Sequence, residues 1–431
     1  MKYKYITIQY ALLNITNMVM CSAMIGYIFN YLSSLRVLMD AQGNPNTTLI
    51  GYIIACGNIL GLIGQSYFGA WLDRTTIIDE KGFLRFISIA SLITGIGMLV
   101  IPDTLFIVVV LAVLTCAIVN ICMPVINTVA FIYEKDGTKI NYGLCRGIGS
   151  AAYAIGAFFL GRLWVAFGKN TIPFYIIIFS IIAILVLTSM PNVENTKKEV
   201  VEKNDLSYGA FFKKYKAAIL LAVGMIGIYF THQMINVYLK VIIEGILGEQ
   251  EILARIQALP SYDSNALNVG SEAYNIAKDS IIAKIQGTAV FVAAMSELPP
   301  MFLFSKIIKK FDINKVMVFA AGMYLVKHIM FYLCKGEVML YFVHFLQMLG
   351  YAVMLPALVY WVNENILESD RNKGQSIMMM TLTIGGLIAN ITCGYLFDAF
   401  TVKTVLLIGV IATIVGAVLV YSAVSAKKKK V

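Results

Sequence analysis

Apolar runs of roughly twenty residues recur along almost the whole of this 431-residue chain, and no other feature narrows its fold as much. An α-helix rises ~1.5 Å per residue, so about 20 apolar residues cross the ~30 Å hydrocarbon core of a bilayer. The runs place spans at about 6–35, 48–71, 84–101, 104–133, 143–167, 171–190, 216–243, 284–305, 314–334, 337–362, 374–400 and 403–425. A water-soluble single domain is excluded, because a chain that is 59% hydrophobic and 13% charged lacks the polar surface to cover a globule. The expected fold class is all-α and integral to the membrane, with twelve transmembrane helices.

The first run, from about Ile6 to Leu32, follows Lys2 and Lys4 but is about twice as long as a signal-peptide core, and it lacks a small-x-small cleavage site. It reads as a retained first helix. The seven cysteines, Cys21, Cys56, Cys116, Cys122, Cys145, Cys334 and Cys393, fall in or beside apolar runs without C-x-x-C spacing, so buried free thiols are expected rather than metal or redox work.

The formal charge of +10 is decided by its distribution. With the N-terminus placed inside, about 24 of the 34 Lys and Arg fall on its side of the membrane, about 9 on the other, and Lys327 falls within a span. The positive-inside rule makes that side cytoplasmic, and the basic tail at 426–431 joins it. The cations therefore report topology and lipid contact, not nucleic-acid binding.

Residues 191–215 form a charged linker that splits the spans six and six, into bundles at 1–190 and 216–425. Duplication is supported by a short internal likeness. Gly161-Arg162-Leu163-Trp164-Val165-Ala166-Phe167 near the end of span 5 resembles Gly394-Tyr395-Leu396-Phe397-Asp398-Ala399-Phe400 at the same place in span 11. The segment 244–284 is expected to be external and much longer than an ordinary loop, as a mobile decorated loop, a lid or a partner-binding surface. Within it, Gly270-Ser271-Glu272 reads as the start of a helix that feeds span 8 and projects beyond the bilayer.

Neither H-E-x-x-H, G-x-x-x-x-G-K-[ST], G-x-S-x-G nor a metal-spaced Cys/His set occurs, so ATP hydrolysis and enzymatic chemistry have no foothold. Function must lie with polar groups inside the membrane, where an ionisable side chain costs about 2.5–3.5 kcal/mol and faces a cavity or a partner. Glu297 sits in mid-span 8, between Lys284 and Lys306. A carboxyl that gains and loses a proton as its cavity opens to each side is a physical basis for proton coupling; a carboxyl paired for packing is the plainer alternative.

Lys327 in span 9 either faces the same cavity, as a counter-ion to Glu297, or snorkels to the interface. His328 is adjacent to Lys327 and so points about 100° away from it, whereas His232 and His344, in spans 7 and 10, read as hydrogen-bonded interior histidines. Arg146 and Tyr153 lie two turns apart on one face of span 5 and offer a guanidinium and an aromatic plane to a sugar or base. An ordinary inner-edge arginine and a packed tyrosine are the alternatives. Asn127 and Thr128 in span 4, Gln233 and Asn236 in span 7, and Gln347 in span 10 add neutral hydrogen-bonding groups for a polyol or base, or for helix-to-helix bonds.

Gly69-Ala70-Trp71-Leu72-Asp73-Arg74 after span 2 resembles the G-x-x-x-D-R gate motif of the major facilitator superfamily, although the following TTIIDEKGF departs from its usual continuation. Tyr142-Gly143-Leu144-Cys145-Arg146-Gly147-Ile148-Gly149 and Met295-Ser296-Glu297-Leu298 resemble, more narrowly, the branch holding lactose permease and the nucleoside–proton symporters. The resemblance implies the major facilitator fold, two pseudo-symmetric six-helix bundles. It makes Arg146 a substrate-binding arginine, Tyr153 the counterpart of a sugar-stacking tryptophan, Glu297 a substrate-binding glutamate, Lys327 the counterpart of a span-9 arginine, and Asp73 and Arg74 a cytoplasmic gate. Gln347 and Gly350 stand where the permease has a histidine and a coupling glutamate, and Gln233 and Asn236 stand for its span-7 aspartates. Asn127 and Thr128 look closer to the nucleoside symporters.

The expected function is therefore secondary active import of a small polar solute, a sugar or glycoside, with a proton, by alternating access of the two halves. A nucleoside–proton symporter is the first alternative, and a transporter-like membrane sensor or interaction protein the second. No cofactor is expected; the coupling ion is a proton, with sodium left open. The expected partners are the solute and membrane lipid, with the chain a monomer in the cytoplasmic membrane and both termini inside.

Overall fold

The computed structural model describes residues 5–40, 43–75, 77–102, 104–135, 137–138, 140–193, 207–259 and 268–425, except for the side chains of residues 73, 74 and 135. Most of the linker, the basic tail and residues 260–267 of the 244–284 segment lie outside that set, as do the side chains of the gate pair Asp73 and Arg74.

Sixteen α-helices are found among the described residues: α1 (Ile6–Gly26), α2 (Ile28–Ser33), α3 (Thr47–Arg74), α4 (Glu80–Val100), α5 (Leu105–Lys135), α6 (Tyr142–Phe167), α7 (Thr171–Ser189), α8 (Tyr208–Lys214), α9 (Lys216–Val237), α10 (Leu239–Gln257), α11 (Glu272–Lys310), α12 (Ile313–Tyr332), α13 (Glu337–Phe345), α14 (Tyr351–Asn365), α15 (Arg371–Ala399) and α16 (Val402–Ser425). Eleven helical stretches are long and apolar enough to cross a membrane, and one of them, Tyr142–Ser189, holds both α6 and α7. Those two are separated by a 3-10 turn, Gly168–Asn170, entered through a glycine at φ +53°, a backbone region that side chains disfavour. Counted so, the described chain has the twelve spans read from the sequence, with α13 and α14 sharing one.

Polar residues just outside the membrane start the helices. The side chains of Asn46, Asp79 and Asn141 accept hydrogen bonds from Leu49 N, Gly82 N and Leu144 N, satisfying N–H groups that the first turns of α3, α4 and α6 leave open. Inside the bilayer every backbone polar group needs an internal partner, which is why helices carry the whole span.

The segment 244–284, expected as a long loop, is helical over most of its described length. α10 continues to Gln257 across a break at Gly248, φ +74°, and α11 begins at Glu272 with Ser271 Oγ accepting from Tyr274 N at 3.0 Å. At 39 residues α11 is ~58 Å long, about twice the hydrocarbon thickness, so it projects beyond the bilayer as the Gly-Ser-Glu start implied.

The chain forms two compact units, residues 1–200 with 249–291, and residues 201–248 with 292–431. In the first, α1 packs on α5, α6 and α7, α3 on α5, and α4 on α5 and α7. In the second, α9 packs on α15 and α16, and α12 on α14 and α16. Numbered by span, 1 with 5 and 6 corresponds to 7 with 11 and 12, and 3 with 4 and 6 corresponds to 9 with 10 and 12. Those pairings recur six spans later, whereas the packing of α3 on α5, span 2 on span 4, has no comparable counterpart between α11 and α14 among the described residues.

Small residues set the crossings, because lipid gives apolar faces no reason to leave it and helices adhere by close packing instead. A Cβ on Gly224 of α9 would lie 2.8 Å from Gly416 O of α16. In the first unit a Cβ on Gly161 of α6 would lie 2.3 Å from Ala283 O of α11. Large apolar side chains such as Ile63, Phe86, Leu185 and Phe302 remain exposed, as suits a surface solvated by lipid.

Candidate functional site

In the second unit the sequence places two prolines, Pro299 and Pro300, just after Glu297. Neither supplies a backbone N–H, so the α11 ladder is interrupted there and the chain is free to bend beside the carboxylate. Span 10 is interrupted too. Between α13 and α14 lies a 3-10 turn, Leu346–Met348, and Gly350 has φ −92°, ψ −81°, outside the helical region. Gln347 sits on that turn and is thereby aimed at α11 and α12.

The result is a relay of three side chains. Gln347 Nε2 donates to Glu297 Oε1 at 2.6 Å, and Lys327 Nζ donates to Gln347 Oε1. Lys327 is 1% exposed, so it points inward and does not snorkel. Its link to Glu297 runs through the Gln347 amide, where the sequence reading had the ammonium as a counter-ion to the carboxylate. Glu297 itself is half-buried. Gln347, expected as a solute contact, has both ends of its amide engaged.

Rings surround this relay. His232 stacks on Tyr351 with centroids 5.0 Å apart and planes 15° from parallel, and it meets Tyr324 edge-on at 5.7 Å. Tyr324 also contacts Tyr229 and His328, and Lys327 Nζ lies 5.7 Å from the centre of the Phe331 ring. Beside the stack, Asn236 Nδ2 lies 3.1 Å from His232 Nε2 and donates to Gln233 Oε1 at 3.3 Å, so the predicted span-7 pair does come together. His344 Nδ1 donates to Leu340 O, the interior role expected of it, and His328 Nδ1 lies 2.7 Å from Thr413 Oγ1.

The sequence reading missed Tyr229, Tyr324 and Tyr351. The signal was available for the first two: Tyr229, His232 and Asn236 recur at helical spacing on α9, and Tyr324, Lys327, His328 and Phe331 on α12. Tyr229 Oη, His232 Nδ1, Tyr324 Oη and His328 Nε2 are buried without hydrogen-bond partners among the described residues. Such orphans are uncommon in a native interior; here they lie beside an apolar core that includes Tyr229 and Tyr324, with Tyr351 packed against it.

In the first unit, α6 carries Arg146 and Tyr153 on one face, as read from their spacing. The Arg146 guanidinium is half-buried, within electrostatic reach of Tyr10 and Cys21 of α1, and has no hydrogen-bond or ion-pair partner among the described residues. Tyr153 Oη approaches Gly26 of α1, where a Cβ would lie 3.9 Å from it. Asn127, three residues after Pro124 in α5, has its Oδ1 buried and unpartnered, whereas Thr128 is exposed and bonds Val125 O of its own helix. Asn17 on α1, which no sequence pattern singled out, is also buried with an unpartnered Oδ1. Asp73 lies in the last turn of α3 and Arg74 ends it.

No cluster of His, Cys, Asp and Glu suited to a metal ion is found among the described residues. The chemistry on offer is reversible protonation at Glu297 and hydrogen bonding by amides, a guanidinium and aromatic hydroxyls.

The family model described as "MFS_1 like family" matches residues 18–408. A curated relative, the uncharacterised transporter YwbF of Bacillus subtilis (strain 168), is 21% identical over 421 residues, which cover 94% of this chain and 93% of that one. Among solved structures, the nucleoside transporter NupG superposes with a TM-score of 0.73 at 14% identity, covering 98% of this chain and 100% of NupG. An auto-inhibited POT family peptide transporter superposes with a TM-score of 0.66 at 8% identity, over 96% of each chain.

Proposed function

Because the chain belongs to the MFS_1-like family and is therefore a membrane transporter rather than an enzyme, we propose that it is a secondary active symporter importing a small polar solute with a proton. Glu297 is the proton-carrying group. The single observation behind this reading is a half-buried carboxylate in mid-membrane, tied by an amide to a fully buried ammonium. A carboxylate so placed is costly, and it is tolerated where it faces water or a partner for part of the cycle.

The solute is a nucleoside. Gln233 and Asn236 bond each other through one group each, which leaves the Gln233 amine and the Asn236 carbonyl to meet a base edge. The stacked His232 and Tyr351 rings supply an aromatic neighbour. The fold likeness to a nucleoside transporter is consistent with this solute without deciding it. A sugar or glycoside, the solute expected first from the sequence, is the second reading. It is favoured by Arg146, a guanidinium with no hydrogen-bond or ion-pair partner among the described residues, two turns from Tyr153 on the same helix face.

Reconstituted protein tests both. An imposed pH gradient, acid outside, should drive accumulation of tritiated uridine, and unlabelled uridine should compete better than lactose. The Glu297→Gln variant should lose accumulation but keep equilibrium counterflow. Undiminished concentrative uptake by that variant overturns the proton site, and competition by lactose alone replaces the nucleoside with the sugar.

A further inference from the structure

We infer that Gln347 is the positioning residue through which Lys327 holds Glu297 as a carboxylate, with the amide orientation dictated by the two charges it joins. The inference deepens the proton-site reading above and rests on it for its functional meaning, but its geometry stands independently.

An amide is ambiguous by itself, because its oxygen and nitrogen ends look alike in shape. Here the neighbours remove the ambiguity. As an ammonium, Lys327 Nζ carries donors only, so the end that meets it must be Gln347 Oε1. That leaves Nε2, which only donates, facing Glu297 Oε1. A flipped amide would set donor against donor at Lys327 and acceptor against acceptor at Glu297. The ammonium therefore fixes which end Glu297 sees, and that end favours the deprotonated acid.

The link differs from an ion pair in a way that suits proton exchange. A buried ammonium touching a carboxylate locks the charged form strongly, because neither charge has another partner. Setting an uncharged amide between them lengthens the separation and weakens the hold while keeping its sign. Gln347 cannot itself take up or release a proton in this range, so a proton arriving at the relay is carried by Glu297 or Lys327.

The titratable groups of the second unit that surround the relay are Tyr324, Lys327 and His328 on α12, His344 on α13, Tyr351 on α14, and Tyr229 and His232 on α9. Of these, Lys327 alone bonds Gln347. The turn between α13 and α14 places Gln347, so the relay depends on the break in span 10 as well as on side-chain identity.

The test reads Glu297 directly, without a solute. Purified full-length protein is titrated with acid while the infrared carbonyl band of protonated carboxyls is followed. The band absent from Glu297→Gln is assigned to Glu297. In Gln347→Met, matched in length, half-protonation of Glu297 should occur at a proton concentration at least tenfold lower than in wild type, equivalent to about 1.4 kcal/mol. Lys327→Met should move it the same way, and the double variant by less than the sum of the two shifts, since both act through one connection. Gln347→Asn, an amide one methylene shorter, should fall between wild type and Gln347→Met and serves if the Met variant does not fold.

A midpoint unmoved by Gln347→Met or Gln347→Asn overturns the inference, and so does simple addition of the two effects in the double variant. These results are separable from failure of the transport reading. Glu297→Gln with undiminished pH-driven uptake sinks the proton-site function even if the infrared midpoints shift as stated.

Discussion

Replacing Gly161 by Ala adds one methyl group at the tightest crossing of the first unit. An ideal Cβ there would lie 2.3 Å from Ala283 O and 2.8 Å from Tyr27 Oη. The first of these is backbone, so no rotamer change relieves it, and α6 and α11 must part by roughly 1 Å to restore van der Waals contact. Beside this crossing, three hydrogen bonds tie the α1–α2 segment to α11: Tyr27 Oη to Ala283 O at 2.9 Å, Asn30 Nδ2 to Gln286 Oε1 at 2.9 Å, and Gln286 Nε2 to Gly26 O at 2.6 Å. Overpacking costs about 1–3 kcal/mol, and each membrane hydrogen bond weakened adds about 0.6 kcal/mol. The better helix propensity of Ala offsets up to about 1 kcal/mol. The net expectation is a loss of about 1–3 kcal/mol. Thermal unfolding in detergent can be followed with a thiol-reactive dye, since six cysteines are buried and Cys56 alone is exposed. Gly161→Ala should melt several degrees below wild type. Gly69→Ala, where a Cβ would meet nothing within 4 Å, is the control and should not. Gly161→Ala melting at or above wild type would refute the close-packed seam.

Two further outcomes follow from the contacts. Arg146→Gln should lower uptake of the transported solute at least tenfold, because a charge-assisted hydrogen bond is worth about 1.5–3 kcal/mol, yet leave the melting temperature unchanged, since the guanidinium has no hydrogen-bond or ion-pair partner to lose among the described residues; a parallel fall in stability would reassign it to structure. Between α14 and α15, Asp370 Oδ2 accepts from Lys214 Nζ and from Tyr215 Oη, each at 2.7 Å, and the hydrogen bond from Lys214, then that from Tyr215, holds the carboxyl below its usual range. The same contact raises the Lys214 ammonium, chiefly through its bond to Asp370. A depressed acid stabilises above its unfolded value, and a raised base below its own, so the clamp should persist between about pH 4 and about pH 10 and fail as either folded value is crossed. Hydrogen exchange of residues 208–215 should show it: Asp370→Asn at neutral pH should exchange as fast as acidified wild type, and equal protection in both proteins at neutral pH would exclude the clamp.

Much of the architecture was legible from the residues alone. The bilayer demands a fixed length of apolar helix and satisfied backbone groups, and both are local properties, so the twelve spans and the projecting start of α11 could be read along the chain. Glu297 announced itself by the same logic, as a charge where hydrocarbon tolerates few. Arg146 with Tyr153, and Gln233 with Asn236, were readable because three or seven residues along one helix is a local geometry.

The relay was not readable in that way. Glu297, Lys327 and Gln347 stand on three different elements, and whether Lys327 turned inward or snorkelled depended on what Gln347 offered it. The Gln347 position depended in turn on a break in span 10 that no hydrophobic run reveals. The bond between Asn30 and Gln286 joins residues 256 positions apart, and helix periodicity carries no information over that separation. The sequence by itself determined which segments cross the membrane and which polar residues cross with them. Only the tertiary structure decided which of those residues meet, because hydrogen bonds act over about 3 Å while the chain that must close those distances is free to pack its helices in more than one way.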